Sequence, residues 1–349
     1  MNLTLLIPDL LWPDTTHPQI HADLSLPSLE RLLSKGTLRR YSAQEMEAWL
    51  CTSFNIAKQH NWPIAPIMLH VDDSNLITGN DYWMRADPVH LRIEQNHIML
   101  ADSQAFSISQ EEAQHITQSL NQNLGRHYDF SVLPLRPDRW YIRLPHSPQM
   151  QTPSLDQVTC RNINNFLPVG NESIMWHKIF NEAQMLLHEH PINQQRESRG
   201  ELPINSVWFW GGGVMPPSIH SQFTNIWSNN EFAHALALTS HTPYSNLPAN
   251  ANEWFSHDIL SNNLVILDNL AVNAKYRNAY QWRETLKNLE NDWFLPLYQA
   301  LKTGRINQIT IAAVNEDSWL EFVVTRTNLW KFWLVTRPLS SYIVKHHAN

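Results

Sequence analysis

The sequence predicts an α/β fold: a central, mostly parallel sheet flanked by helices, with a smaller α+β insertion region and a C-terminal β-hairpin. Three observations lead there. Apolar runs at 3–7, 206–210, 234–240, 264–268 and 308–314 alternate with segments of helical periodicity, as strands covered on both faces do. From about 62 to 168 proline becomes frequent and short stretches alternate in polarity, which suits hairpins. Two last runs, 319–325 and 329–335, stand a short turn apart. The expected organisation is a main domain over 1–61 and 169–349 and an insertion over 62–168.

Taken in order, LTLLI (3–7) reads as a buried first strand. No basic region precedes it and Asp9 interrupts it, so it does not read as a signal peptide. Helix 27–36 has Pro27 in its first turn, Leu29, Leu32 and Leu33 on one face, and Gly36 as its stop. A second helix is expected at 43–57. Within the insertion, 89–102 alternates, with His90, Arg92 and Glu94 opposite Leu91 and Ile93. The clearest helix is 176–190, where Trp176, Ile179, Phe180, Ala183, Leu186 and Leu187 share a face and Pro191 follows. A long helix at 279–301 should bend or break near Pro296.

Composition excludes several classes. The chain has 349 residues, 43% hydrophobic and 16% charged, enough for a full core in one large or two unequal domains. A formal charge of −7 without a Lys/Arg block argues against a nucleic-acid partner, and Arg39-Arg40 reads as solvated surface. Cys51 and Cys160 make no disulfide framework. No apolar stretch reaches the length of a bilayer span, so the expectation is a soluble, cytoplasmic protein with no membrane partner. The 18 histidines include no HExxH motif, and His188 and His190 read as a polar helix terminus. The 15 tryptophans fill a core or form a partner surface; the burial of Trp208, Trp210, Trp319, Trp330 and Trp333 separates the two readings.

In an open α/β sheet, ligands bind beyond the carboxyl ends of the strands. Asp9, the run Gly211, Gly212 and Gly213, and Asp268 fall there, and paired aspartates at strand ends are raw material for a two-metal site. The triple glycine fits neither a P-loop nor a dinucleotide turn, and VMPPS after it favours an extended exit. Just upstream, Asn193, Arg196, Arg199 and Asn205 approach the same strand end. They make either a phosphate-contacting set or a helix-to-strand linker held by its own side-chain hydrogen bonds, and both readings stand at this point.

The stretch HPIN–QR–RG–LPINSVWFWGGG (190–213) resembles the helix–linker–strand passage of archaeal-type cofactor-independent phosphoglycerate mutases. The whole chain resembles bacterial RpfE-type regulatory proteins, through LIPDLLWPD (6–14), LPSLERLLSKG (26–36), YWMRADPVHL (82–91), RPDRWYIRL (136–144) and NEAQMLLHEHPIN (181–193). The resemblance implies an alkaline-phosphatase-like fold. It also implies two divalent metals, manganese or zinc, and a phosphoryl-accepting serine. Asp9 matches the first metal aspartate, though in Pro-Asp-Leu, while Ser42, Thr52 and Ser53 lack the glycine-rich serine context. Asp268 is followed by Val272 where a histidine is expected, and Asn315-Glu316-Asp317 stands in place of an Asp-His pair. The expectation is therefore a mutase-like protein without its two-metal centre, needing no cofactor and acting in regulation. It would bind a phosphorylated or carboxylated small molecule, or a protein. Arg85, Arg136, Arg139, Asn193, Arg196, Asn205, Gly211, Gly212 and Gly213 are the candidate contacts. The alternative is a phosphotransferase or phosphatase using Asp9 and Asp268 with His17, His241 or His257.

Overall fold

The computed structural model describes residues 1–13, 18–76, 78–94, 97–257, 259 and 261–343. It divides into two compact units, Met1–Asn55 with His220–Asn349, and Ile56–Ile219. No helix among the described residues is long and apolar enough to cross a membrane.

The first unit is built on a seven-stranded mixed sheet. Its centre is the strand Asn2–Pro8, parallel to Asn262–Ile266 on one side and Gln308–Val314 on the other. Leu5, Ile7, Val265, Ile309 and Ile311 are fully buried, as near-continuous apolar runs require. The helix Pro27–Lys35 packs Leu29, Leu32 and Leu33 into this core. Its open N–H groups at Ser28 and Leu29 donate to the buried Glu290 carboxylate at 2.7 and 3.0 Å. Glu290 opens a π-helical turn, Glu290–Phe294, that joins Ala279–Leu289 to Leu295–Thr303. The helical path runs on through Pro296, so the break expected there does not occur, and the wider turn lies just before the proline.

Two expectations for this unit need correction. Residues 234–240 belong to a helix, Glu231–Thr239, capped by Asn230 accepting from Ala233 N. A short apolar run does not distinguish strand from buried helix, and Ala233, Ala235 and Ala237 tip it to helix. The strands nearby are Asn225–Trp227 and Tyr244–Ser245. The hairpin is also displaced: Trp319–Thr325 pairs antiparallel with Gln308–Val314, not with 329–335. Leu320, Phe322 and Val324 alternate inward, whereas Lys35 Nζ donates to the carbonyls of Lys331 and Leu334, which therefore bond to a side chain.

In the second unit, the 13-residue strand Tyr82–Glu94 is the spine. It pairs antiparallel with His97–Ala101, Arg139–Leu144 and Ser206–Gly213, and Arg139–Leu144 pairs with Ser131–Arg136. The first of these is the hairpin expected at 89–102. The unit extends past the expected 62–168 because Ser206–Gly213 hydrogen-bonds along Tyr82–Glu94. The helix Ser173–His188 packs on Ser206–Gly213, setting Trp176 edge-on to Phe209 at 5.1 Å and Phe180 edge-on to Trp208 at 5.8 Å.

The triple glycine ends this buried strand, and as candidate ligand contacts Gly211, Gly212 and Gly213 need correction. All three are buried, and each faces packed protein. Gly211 has φ +64, and a Cβ there would meet Ile64 Cβ at 2.9 Å. At Gly212 a Cβ would run into the Tyr82 side chain, striking its hydroxyl and lying 2.8 Å from both Cε1 and Cζ of the ring. At Gly213 a Cβ would lie 2.6 Å from Pro63 Cβ and 2.9 Å from its Cα, a rigid ring on fixed backbone. Close approach accounts for the glycines. Gly213→Ala is expected to destabilise the protein by about 1–3 kcal/mol, seen as a lower urea midpoint by tryptophan fluorescence. An unchanged midpoint would show that Pro63 can yield.

Candidate functional site

The predicted site residues divide between the units, Asp9 and Asp268 in the first and the arginine, asparagine and glycine candidates in the second. Asp9 follows the first strand in left-handed backbone, φ +54; its N–H donates to Val314 O and its carbonyl accepts from Trp282 Nε1 at 2.9 Å. Asp268 follows Asn262–Ile266, and its carboxylate accepts from Asn230 Nδ2 at 3.3 Å. Burial pushes the Asp268 carboxyl up, with the Asn230 contact opposing. Asn315 closes a turn, its carboxamide oxygen accepting from Asp317 N at 3.0 Å, Ser318 N at 2.7 Å and Ser318 Oγ at 3.1 Å. Val272 is half-exposed on the helix Ala271–Lys275. Thr52 Oγ1 donates to Ala48 O inside its own helix. Of the alternative histidines, His241 and His257 are exposed and His17 lies outside the described residues. Among the described residues no three His, Cys, Asp or Glu side chains converge as a metal site would need.

The candidate arginines meet carboxylates. Asp72, whose side chain is 0% exposed, accepts from Arg136 Nε at 2.8 Å, Arg139 Nη2 at 2.6 Å and Tyr141 Oη at 2.6 Å. Asp87 accepts from Arg85 Nη2 at 2.7 Å and Nε at 3.0 Å, and from Trp210 Nε1 at 2.7 Å. The Arg85 guanidinium lies over the rings of Tyr141 and Trp210. Burial pushes the Asp87 carboxyl up and Arg85 pulls against it; burial also raises the Tyr141 phenol, so it stays a donor to Asp72. Arg136 is the half-exposed member of this cluster.

The linker candidates are held by backbone. Asn193 donates to Leu187 O and Ile204 O and accepts from Ile204 N, each at 2.8 Å. Asn205 pairs with both backbone groups of Leu91. Arg196, 1% exposed, donates to Leu202 O, Ser107 O and Glu112 Oε2. Burial raises the Glu112 carboxyl, but Ser109 N–H, Arg196 and Arg199 outweigh it and hold it below its usual range. Of the two readings left open for this stretch, the geometry is that of the stitched linker. Sequence reasoning missed the carboxylates Asp72, Asp87 and Glu112. The Arg85/Asp87 pair had a local signal, because residues two apart share a strand face.

Sequence reasoning also missed a groove of about 1170 Å³ in this unit, lined by Glu112, His115, Ser119, His190, Gln195 and Arg199 among others. There His190 Nε2 and Ser119 Oγ are 2.9 Å apart. His190 Nδ1 accepts from Ile192 N as the cap of Pro191–Ser198, so in the neutral ring Nε2 carries the proton and donates. Ser119 in turn donates to His115 O, so the pair is not set to activate a nucleophile. The five tryptophans singled out divide: Trp208 and Trp210 are buried, Trp319 stacks on Tyr41 at 4.0 Å, and Trp330 and Trp333 are exposed.

The pattern of the 2,3-bisphosphoglycerate-independent phosphoglycerate mutase family matches residues 76–193. Over that stretch the chain is similar to those enzymes. The Methanosarcina barkeri enzyme of that name is 30% identical over 123 residues, 34% of this chain and 30% of its own length. The chain thus spans about a third of the curated relatives it matches. Among solved structures, the PH0037 protein from Pyrococcus horikoshii has a TM-score of 0.54 at 11% identity, over 93% of this chain and 87% of that one. At that identity the likeness shows the α/β fold alone. The cofactor-independent phosphoglycerate mutase from Thermoplasma acidophilum covers 97% of this chain and 94% of its own, with a TM-score of 0.48 and 14% identity. The matched segment lies within the second unit and excludes Asp9, Asp268 and 315–317.

Burial, with the charge of His115 second, holds His190 below its ordinary range, and burial does the same for His21 and His70. Below about pH 6.5 the unfolded chain then binds protons that the folded one refuses. Stability should fall as pH drops through that value, reaching its floor below the folded pKa values. His190→Asn keeps a capping side chain but cannot titrate, so its urea midpoint should depend less on pH than wild type. Equal pH slopes for the two proteins would rule out this role.

Proposed function

We propose that this protein is a mutase-like, alkaline-phosphatase-fold relative that binds an anionic ligand without transferring phosphoryl groups, in a regulatory role of the RpfE type. The observation that carries it is the fate of the 315–318 turn. Where the resemblance calls for an Asp-His pair, the Asn315 carboxamide oxygen takes three hydrogen bonds from its own turn. Val272, in the other histidine position, has no donor atom. These residues do not fit a two-metal centre, whose nitrogen ligands they replace.

The anion would be the phosphate or carboxylate of a small molecule, and the arginine cluster supports that class. Arg136 is bonded to Asp72 and half-exposed, so its guanidinium can pair with a phosphate or carboxylate without any metal. Asn193, Arg196, Asn205, Gly211, Gly212 and Gly213 act in this reading as architecture that fixes the linker and the strand end.

Two measurements test it. Interconversion of 3- and 2-phosphoglycerate, and hydrolysis of a generic phosphate ester, should both be absent with manganese or zinc. Thermal scans should show stabilisation by 3-phosphoglycerate that Arg136→Gln removes. Metal-dependent turnover abolished by Asp268→Asn would establish the alternative, a phosphotransferase or phosphatase with a rearranged site. Stabilisation unaffected by Arg136→Gln would move the ligand away from the cluster.

A further inference from the structure

Helix Pro27–Lys35 holds the backbone of 331–339 at four points. Lys35 Nζ donates to the carbonyls of Lys331 and Leu334, Ser34 Oγ accepts from Arg337 N, and Glu30 Oε1 accepts from Leu339 N. Leu339 and Tyr342 are buried just beyond. Beside and between these anchors the apolar side chains turn outward: Trp330 is 75% exposed, Phe332 87%, Trp333 65% and Val335 82%. Phe332 and Trp333 meet edge to face at 5.2 Å. A stretch that merely failed to pack would not have its backbone pinned in this way, and contiguous exposed apolar surface marks an interaction site.

Charge identifies the partner. From Phe322 to Asn349 the sequence carries Arg326, Lys331, Arg337 and Lys345 and no Asp or Glu, in a chain whose formal net charge is −7. Glu30 accepts from Leu339 N, and Glu321, the acidic residue that precedes the tract in sequence, is engaged by Arg39 and Tyr41. Tryptophan and phenylalanine among lysine and arginine is the chemistry of the membrane–water interface, where rings enter the headgroup layer and cations meet anionic lipid.

We propose that the 330–337 tract docks this protein peripherally on an anionic phospholipid surface. The sequence expectation of no membrane partner rested on the lack of a spanning segment, and a loop lying in the interface needs no span. This docking is independent of the anion-binding reading, since the catalytic and thermal-shift assays need no lipid.

The test is co-sedimentation of the full chain with vesicles of phosphatidylcholine alone or mixed with phosphatidylglycerol, with tryptophan emission recorded. The mixed vesicles should pellet the protein and shift its emission to the blue, and high salt should weaken both effects. Trp330→Ser/Phe332→Ser/Trp333→Ser should weaken binding by about tenfold or more, and Lys331→Gln/Arg337→Gln should also weaken it. Both variants should fold, because the anchors use the backbone of 331, 334, 337 and 339 and the replaced aromatic side chains are exposed. The proposal is overturned by no pelleting, by equal pelleting with neutral vesicles, or by undiminished binding of the aromatic variant. It is equally overturned if light scattering finds a dimer that the aromatic substitutions dissociate, because a second copy would then cover the tract.

Discussion

Asp87 accepts hydrogen bonds from three strands at once. Its own strand contributes Arg85, Arg139–Leu144 contributes the Trp140 N–H at 3.4 Å, and Ser206–Gly213 contributes Trp210. A carboxylate at 2% exposure is tolerable only with a cation and donors arranged around it, so this one residue constrains the alignment of three strands. Asp72 does the same for the end of the helix Ile64–Asp72, drawing in Arg136, Arg139 and Tyr141 from two further segments. Removing Asp87 would strip the buried Arg85 guanidinium of the carboxylate it is bonded to, so this arginine is required by the fold before any ligand is considered.

The same logic runs through the linker after the helix Ser173–His188. Asn193 and Asn205 each offer a donor and an acceptor on one planar amide, the pattern of a peptide group, and each pairs with backbone where no strand neighbour serves. Arg196 and Glu112 complete the seam. The side chains of this stretch are thereby accounted for by folding alone. Asp268, Val272 and residues 315–317 lie in the other unit, outside the matched segment.

This separation shows what was legible in the sequence. The parallel strands at 2–8, 262–266 and 308–314 and the helices at 27–35 and 173–188 were readable, because local periodicity and punctuation define them. The sheet to which 206–213 belongs was not. VWFW reads as a central parallel strand, yet it is buried beneath Ser173–His188 within an antiparallel ladder. Burial sets the pattern, whereas the pairing partner leaves no local trace. Arg136 and Arg139 find their shared carboxylate 64 and 67 residues away, beyond the reach of spacing arguments. The groove beside His190 was invisible for the same reason, being lined by helices distant in the chain.

Tryptophan usage sharpens the contrast between architecture and display. All 15 tryptophans lie in described residues, and only Trp330 and Trp333 among them are exposed. The others are buried or partly so, and several have their indole N–H taken up, as by Thr78 O, Pro137 O, Pro153 O and Asp9 O. A chain that encloses its large rings so consistently, then fixes two of them outward on a backbone tied by Glu30, Ser34 and Lys35, differs from one with a loosely packed surface. The first unit thus combines strand ends whose polar groups serve turns and caps with a basic, aromatic tract held open.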